Sequence, residues 1–346
     1  MKKTWKLGAV LGLAILAVGC FETKQDYSLN PDGSGRVTYE LTMEDMSAMM
    51  GAMVGGAGGE GGAPPQPDIK QSARQILDQS AGVDAWKEVS FSKAEDGRIK
   101  FKGTAYFKSI EKLKLHPGGA SAVSFAKDDK GGLVLNLEGD KKDKAEIKVP
   151  AQMTEEQIAA KITEGRAKFT QMKPMMTMIM GTMKMDITFH VPGTVAESSC
   201  FKKGEGGSLQ VLIEGAKLLE TMDKLAADDA ILREIVTAGE SISEGGPRTT
   251  LIMNEKVFGE KAPVRARMTG DLKPLFDYKA EMEAAKKDYP EMLKKLGLDQ
   301  VKVQTPSDFA PNALPGGGKT RGQGVPTGKG ETAPAPAAKP SGGGTI

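Results

Sequence analysis

Chemistry-bearing side chains are scarce in this chain. Two histidines, His116 and His190, and two cysteines, Cys20 and Cys200, stand in 346 residues. That scarcity excludes H-E-x-x-H metal sites, Cys/His zinc clusters and Cys/His nucleophile pairs, and no G-x-S-x-G elbow occurs. Gly316 to Thr320 has the ending of a phosphate-binding loop, but its first glycine would fall on Ala313 and no strand pattern precedes it. Charge of one sign is also missing. The formal balance is +2, and three of the positive charges are Lys2, Lys3 and Lys6 at the extreme amino terminus, which leaves the remainder near −1. A near-neutral chain carries no electrostatic footprint for nucleic acid. Carboxylates are plentiful, yet spacing singles out no acid/base couple, so the chain reads as non-catalytic and without a dissociable cofactor.

What is present begins with an export signal over residues 1–19. A basic start is followed by an apolar run from Leu7 to Val18, too short to span a bilayer as a mature helix, and by small residues before Cys20. Ala17-Val18-Gly19-Cys20 looks like the lipobox of bacterial lipoproteins, in which the cysteine thiol takes a diacylglyceryl group. Ala17 and Gly19 also make an A-x-A-like site for ordinary signal cleavage. Phe21 follows, not the aspartate that favours inner-membrane retention in Gram-negative sorting. The expected location is therefore the cell envelope, lipid-anchored, at the periplasmic face of the outer membrane. With Cys20 used for the anchor, Cys200 has no intramolecular partner, so stability must come from a packed core.

Residues 20–24 read as a lipidated tether, reaching about 15 Å at roughly 3.5 Å per residue. Residues 51–67 read as a flexible glycine-rich insertion and residues 306–346 as a disordered Gly/Pro/Ala-rich tail. Between them alternation dominates. Val37, Tyr39, Leu41 and Met43 alternate with polar residues, and Asp32-Gly33 joins them to DYSLN as a β-hairpin. The same period recurs at Ile99 to Phe107, Leu133 to Leu137, Leu209 to Ile213 and Val264 to Met268, which predicts antiparallel sheet. Thr154 to Gln157 is a capping-box signature. After it Ile158, Ile162, Gly165, Phe169, Met172, Met176, Ile179 and Met183 recur at helical spacing as one stripe. Further helices are predicted from Ala216 to about Ala238 and from Asp277 to Leu296, the latter interrupted near Pro290. The fold class is α+β: an antiparallel sheet body packed by a few long helices, with residues 25–214 as one domain and 215–305 as a helical/β extension packed on it.

MKPMMTMIMGTMKM, Met172 to Met185, holds seven methionines in fourteen residues. Thioether sulfur is both a soft Cu(I) ligand and an adaptable core filler. Met172, Met176 and Ile179 continue a stripe begun by isoleucine and phenylalanine, and read as the lining for an apolar ligand. Met175, Met178 and Met180 are left unassigned by it, and form the alternative, a Cu(I) site. Met43, Met46, Met49, Met50 and Met53 form a second cluster at helical spacing. His190 is expected on a polar strand face and Cys200 as a buried, quiet thiol.

KMDITFHVPGTVAESS runs a strand into a tight Pro192-Gly193 turn. Together with YSLNPDGSGRVTYEL, the helix before GVDAWKEVSFS, and DGRIKFKGTAYFKSIEKL, this order resembles the LppM-like family of bacterial envelope lipoproteins over roughly Asp26 to Glu214. The Met-rich helix and the glycine insertion depart from that pattern. The resemblance implies an α+β domain with an apolar or lipid ligand. It carries over no binding residue, because the matching positions are structural. The expected function is a membrane-anchored module that binds lipid or scaffolds an envelope protein.

Overall fold

The computed structural model describes residues 21–43, 69–115, 123–137, 153–243 and 245–301. The signal segment, Cys20, the glycine-rich insertion, Met46 to Met53, His116 and the tail lie outside the described residues.

Strands β1 (Phe21–Leu29) and β2 (Gly35–Met43) form the opening hairpin, in register from Phe21 opposite Met43 to Leu29 opposite Gly35. Its turn is set as the Asp-Gly pair predicts: Gly33 takes φ +84°, and the Asp32 carboxylate accepts from the Ser34 amide at 3.0 Å and its hydroxyl at 2.6 Å. Helix α1 (Ile69–Gln79), β3 (Ala85–Lys93) and β4 (Ile99–Phe107) follow, then β5 (Val123–Lys127) and β6 (Leu133–Leu137). Next come helix α2 (Glu155–Met180), β7 (Lys184–His190), β8 (Thr194–Ser199), the short β9 (Lys202–Lys203) and β10 (Leu209–Glu214). Helices α3 (Gly215–Ala227), α4 (Asp229–Thr237) and α5 (Pro247–Phe258), strand β11 (Val264–Thr269) and helix α6 (Tyr278–Leu296) complete the chain.

The strands form a seven-stranded sheet, β3-β4-β2-β1-β7-β10-β9, and a four-stranded one, β5-β6-β11-β8. Alternation delivers one buried row per strand. Tyr27, Val37, Tyr39, Phe101, Ala105, Phe107 and Phe189 sink into a single hydrophobic core shared with Phe169 of α2, Leu225 of α3, Ile235 of α4 and Ile252 of α5. Tyr27 stacks on Phe189 at 5.0 Å and meets Phe107 edge-on at 6.2 Å, pairs that contribute roughly 0.5–1.5 kcal/mol each beyond area burial. Gly103 interrupts its apolar row because a Cβ there would sit 3.1 Å from the Trp86 ring.

Five expectations change. β1 and β7 pair in parallel, so the large sheet is mixed. Residues 21–24, expected as a free tether, are the first part of β1, and Phe21 is buried. The boundary expected at 214/215 does not divide the sheets, since β11 lies between β6 and β8. The helix expected over 216–238 is two, because the Asp228 carboxylate accepts from the Ala230 and Ile231 amides and starts α4 anew. Conversely, α6 runs unbroken through Pro290, which sits on the exposed side of the helix.

Candidate functional site

Helix α2 starts on the predicted capping box: Thr154 Oγ1 accepts from the Gln157 amide at 3.3 Å, and Gln157 Oε1 accepts from the Thr154 amide at 3.0 Å. Its inner face buries Ile158 and Phe169, with Ile162, Met176 and Met180 packed part-buried against the core. Arg166 fastens it sideways, donating to the Ala226 and Ala227 carbonyls at the end of α3 and to Asp229 at 2.6 Å. Lysine and carboxylate partners reinforce this on the outside, Lys173 with Asp223 at 2.9 Å and Arg233 with Glu155 at 2.6 Å.

The methionines divide differently from the expected stripe. Met172 is 38% exposed, Met175 52% and Met178 51%; with Leu275 they are the large hydrophobics left open among the described residues. Met172 therefore does not line an interior, while Met176 does pack inward and Ile179 belongs to the same helix. The copper trio is also split. Met175 and Met178 point to solvent, but Met180 packs against the core. The three exposed sulfurs follow one another at i, i+3 and i+6, one flank of α2.

The carboxyl end of the helix that carries this flank leads to a defined end of the sheet. After α2 the chain turns at Gly181, the Met183 amide donates to the Met180 carbonyl at 3.0 Å, and β7 begins with Lys184 beside Glu22. The end of α2 and the start of β1 thus meet at one end of the strands of the large sheet, and Phe21 there follows Cys20 directly in the chain.

A second candidate is a groove of about 440 Å³ on the outer face of the large sheet, lined by polar residues of β1, β2, β3, β4 and β7. His190 Nε2 lies 3.0 Å from Asp26 Oδ1. Arg36 pairs with Glu281 of α6 at 2.6 Å and covers the Phe276 ring at 4.7 Å, while the Tyr106 hydroxyl donates to Glu281 at 3.0 Å. Burial first, and then the hydrogen bond to Glu281, push the Tyr106 hydroxyl above the usual tyrosine range. Glu88, paired with Lys87 at 3.5 Å, sits at φ +55° where the β3 to β4 register shifts, a strained non-glycine residue at the groove wall. These ion pairs largely neutralise the groove from within. Hydroxyls of Ser28, Thr38 and Thr104 join them on the lining, so the surface suits a neutral or zwitterionic polar partner better than a bare ion.

Sequence alternation put His190 on a polar face, as the structure does; its partner Asp26 was unreadable because only the parallel pairing of β1 with β7 brings the two together. Cys200 is buried as expected. Its Sγ lies 3.5 Å from the Ala262 carbonyl, and burial pushes the thiol up to about 11. Among the described residues no group of three His, Cys, Asp or Glu side chains could hold a metal ion, and no helix is long and apolar enough to cross a membrane.

No family model matches this chain, and no curated protein matches it in sequence. Among solved structures it is distantly similar to the folded domain of the LppM protein from Mycobacterium tuberculosis, determined by NMR. That likeness has 10% sequence identity and a TM-score of 0.25, over 62% of this chain and 89% of the other.

Proposed function

We propose that the chain is a lipid-anchored, non-catalytic binding or scaffolding module of the bacterial cell envelope, held at the membrane by a diacylglyceryl group on Cys20. The observation that supports this reading is where the fold starts. Phe21 is buried and paired with Met43, so acyl chains on the residue before it are joined to rigid sheet without slack. Such an anchor fixes orientation as well as location. It holds one end of the large sheet against the lipid surface and leaves the outer-face groove to meet a polar headgroup or an envelope protein.

The test is metabolic labelling with an alkyne palmitate in an exporting bacterial host, followed by membrane fractionation. The wild-type chain should carry label and sediment with membranes. Cys20→Ser should lose the label and move to the soluble fraction. A wild-type chain that takes no label and fractionates as soluble would end the proposal.

A further inference from the structure

We infer that the exposed flank of α2, Met172, Met175 and Met178, rests in the headgroup and acyl boundary of the bilayer that holds the anchor. This deepens the anchored reading above and rests on it.

Three observations lead there. The first is selectivity of exposure: three of the four large hydrophobics left open among the described residues fall on this one flank, while Met176 and Met180 of the same helix pack inward. A cluster of this kind on one face is a candidate contact surface, whereas single exposed apolar residues call for no explanation. The second is position. Met178 is two residues from the last residue of α2, and Lys184, four residues after that helix ends, pairs with Glu22 in β1. The carboxyl end of α2, which carries Met178, therefore leads within a few residues to the end of the large sheet at which β1 begins. The third is dimension and chemistry. Met172 and Met178 are about 9 Å apart along the helix axis, within the roughly 5–10 Å layer that interfacial side chains occupy. Unbranched, polarisable methionine adapts to that disordered layer as it does to irregular cores.

The flank's cations are already used. Lys173 is paired with Asp223, and Lys168 with Glu164. The contact is therefore apolar in origin and needs no anionic lipid. Three methionines alone bind weakly. Behind a covalent anchor they act at high effective concentration, so their contribution is to fix the angle at which the body stands on the membrane.

The experiment uses the lipidated full chain in vesicles of phosphatidylcholine with and without brominated acyl chains. Tryptophan is introduced at Met178→Trp or Met175→Trp, and at Ala160→Trp as a reference, an exposed position about 27 Å back along the same helix. The buried Trp86 gives the same background in each variant. Brominated lipid should quench Met178→Trp severalfold more than Ala160→Trp, and adding phosphatidylglycerol should leave the ratio unchanged. Equal quenching at both positions, in protein that still floats with the vesicles, would overturn the inference and leave the anchor standing. A blue-shifted Met178→Trp emission that brominated lipid does not quench would assign the flank to a second copy of the chain, and also overturns it. If the wild-type chain does not float with vesicles, the anchored reading fails, and the inference falls with it.

Discussion

The two long helices of this protein each carry an internal proline, and the fold uses them in opposite ways. Helix α6 is fixed to the sheet by polar pins: the Tyr278 hydroxyl donates to Asp84 at 2.5 Å, Glu281 receives from Arg36 and Tyr106, and Ala285 lies buried with Ala85 and Tyr106. Helix α2 carries five methionines, yet it is held by Ile158, Phe169 and the Arg166 bridge to α3, and three of the five stay open. Apolar residue type therefore does not decide burial here. The neighbours do, because a helix beside a sheet finds partners for its charges, while a helix at an edge of the fold has one apolar face satisfied and another left over.

Substitutions on the two helices test that contrast, starting from the largest effect. Phe169→Ala removes the buried anchor of α2 and should cost about 3–5 kcal/mol in urea unfolding. Met175→Ala on the same helix should cost under about 0.5 kcal/mol, and equal losses would break the comparison. On α6, Glu281→Ala should cost about 1–2 kcal/mol, mostly by leaving the Tyr106 hydroxyl unpaired, since its ion pair with Arg36 is over one-third exposed and contributes little by itself. Tyr106→Phe in that background should return part of the loss.

The next is a pH effect. Burial, and then the hydrogen bond to Asp84, raise the Tyr278 hydroxyl above the usual tyrosine range. A raised folded pKa means the folded state holds its proton longer than the unfolded chain. The contribution is complete below about pH 10 and lost as pH rises through the folded value. Tyr278→Phe should therefore lower the neutral plateau by about 0.5–1.5 kcal/mol, the loss of the hydrogen bond to Asp84, and flatten the alkaline limb of the stability profile. The amino end of α2 has the opposite sign. Hydrogen bonds to its own backbone amide and to Thr154 lower the Glu156 carboxyl, so that contribution is present at neutral pH and lost in acid.

How far the sequence was legible follows the range of each interaction. The Asp32-Gly33 hairpin and the Thr154 capping box are local signals, and both appear where the residues place them. Asp228 caps α4 inside a stretch whose apolar residues keep helical spacing on both sides of it, so spacing alone does not mark the break between α3 and α4. Alternation fixes which residues share a face and says nothing of strand order. That is why the parallel β1 and β7 pair, and with it the meeting of His190 and Asp26, was not foreseen. Met172 fails for a related reason. Helical spacing places it beside Phe169 and Met176, yet spacing does not give the width of the core-facing stripe, and Met172 falls outside it.

The smallest expected change separates the exposed flank of α2 from the core chemically. Peroxide treatment of the folded protein should convert Met172, Met175 and Met178 to sulfoxides first, because thioether oxidation follows exposure. Met183, Met222 and Met268 are buried and should resist until the chain unfolds. Peptide mass spectrometry against time reads this directly. Stability should move by less than about 0.5 kcal/mol, since polar oxygen is added to side chains already in water. The same oxidation on vesicles gives the sharper reading. If the flank lies in lipid, Met178 should be protected relative to the vesicle-free protein while buried Met183 is unchanged. A loss of stability on oxidising the exposed trio would mean those sulfurs pack against something in the folded chain, and α2 would then differ from α6 less than their burial indicates.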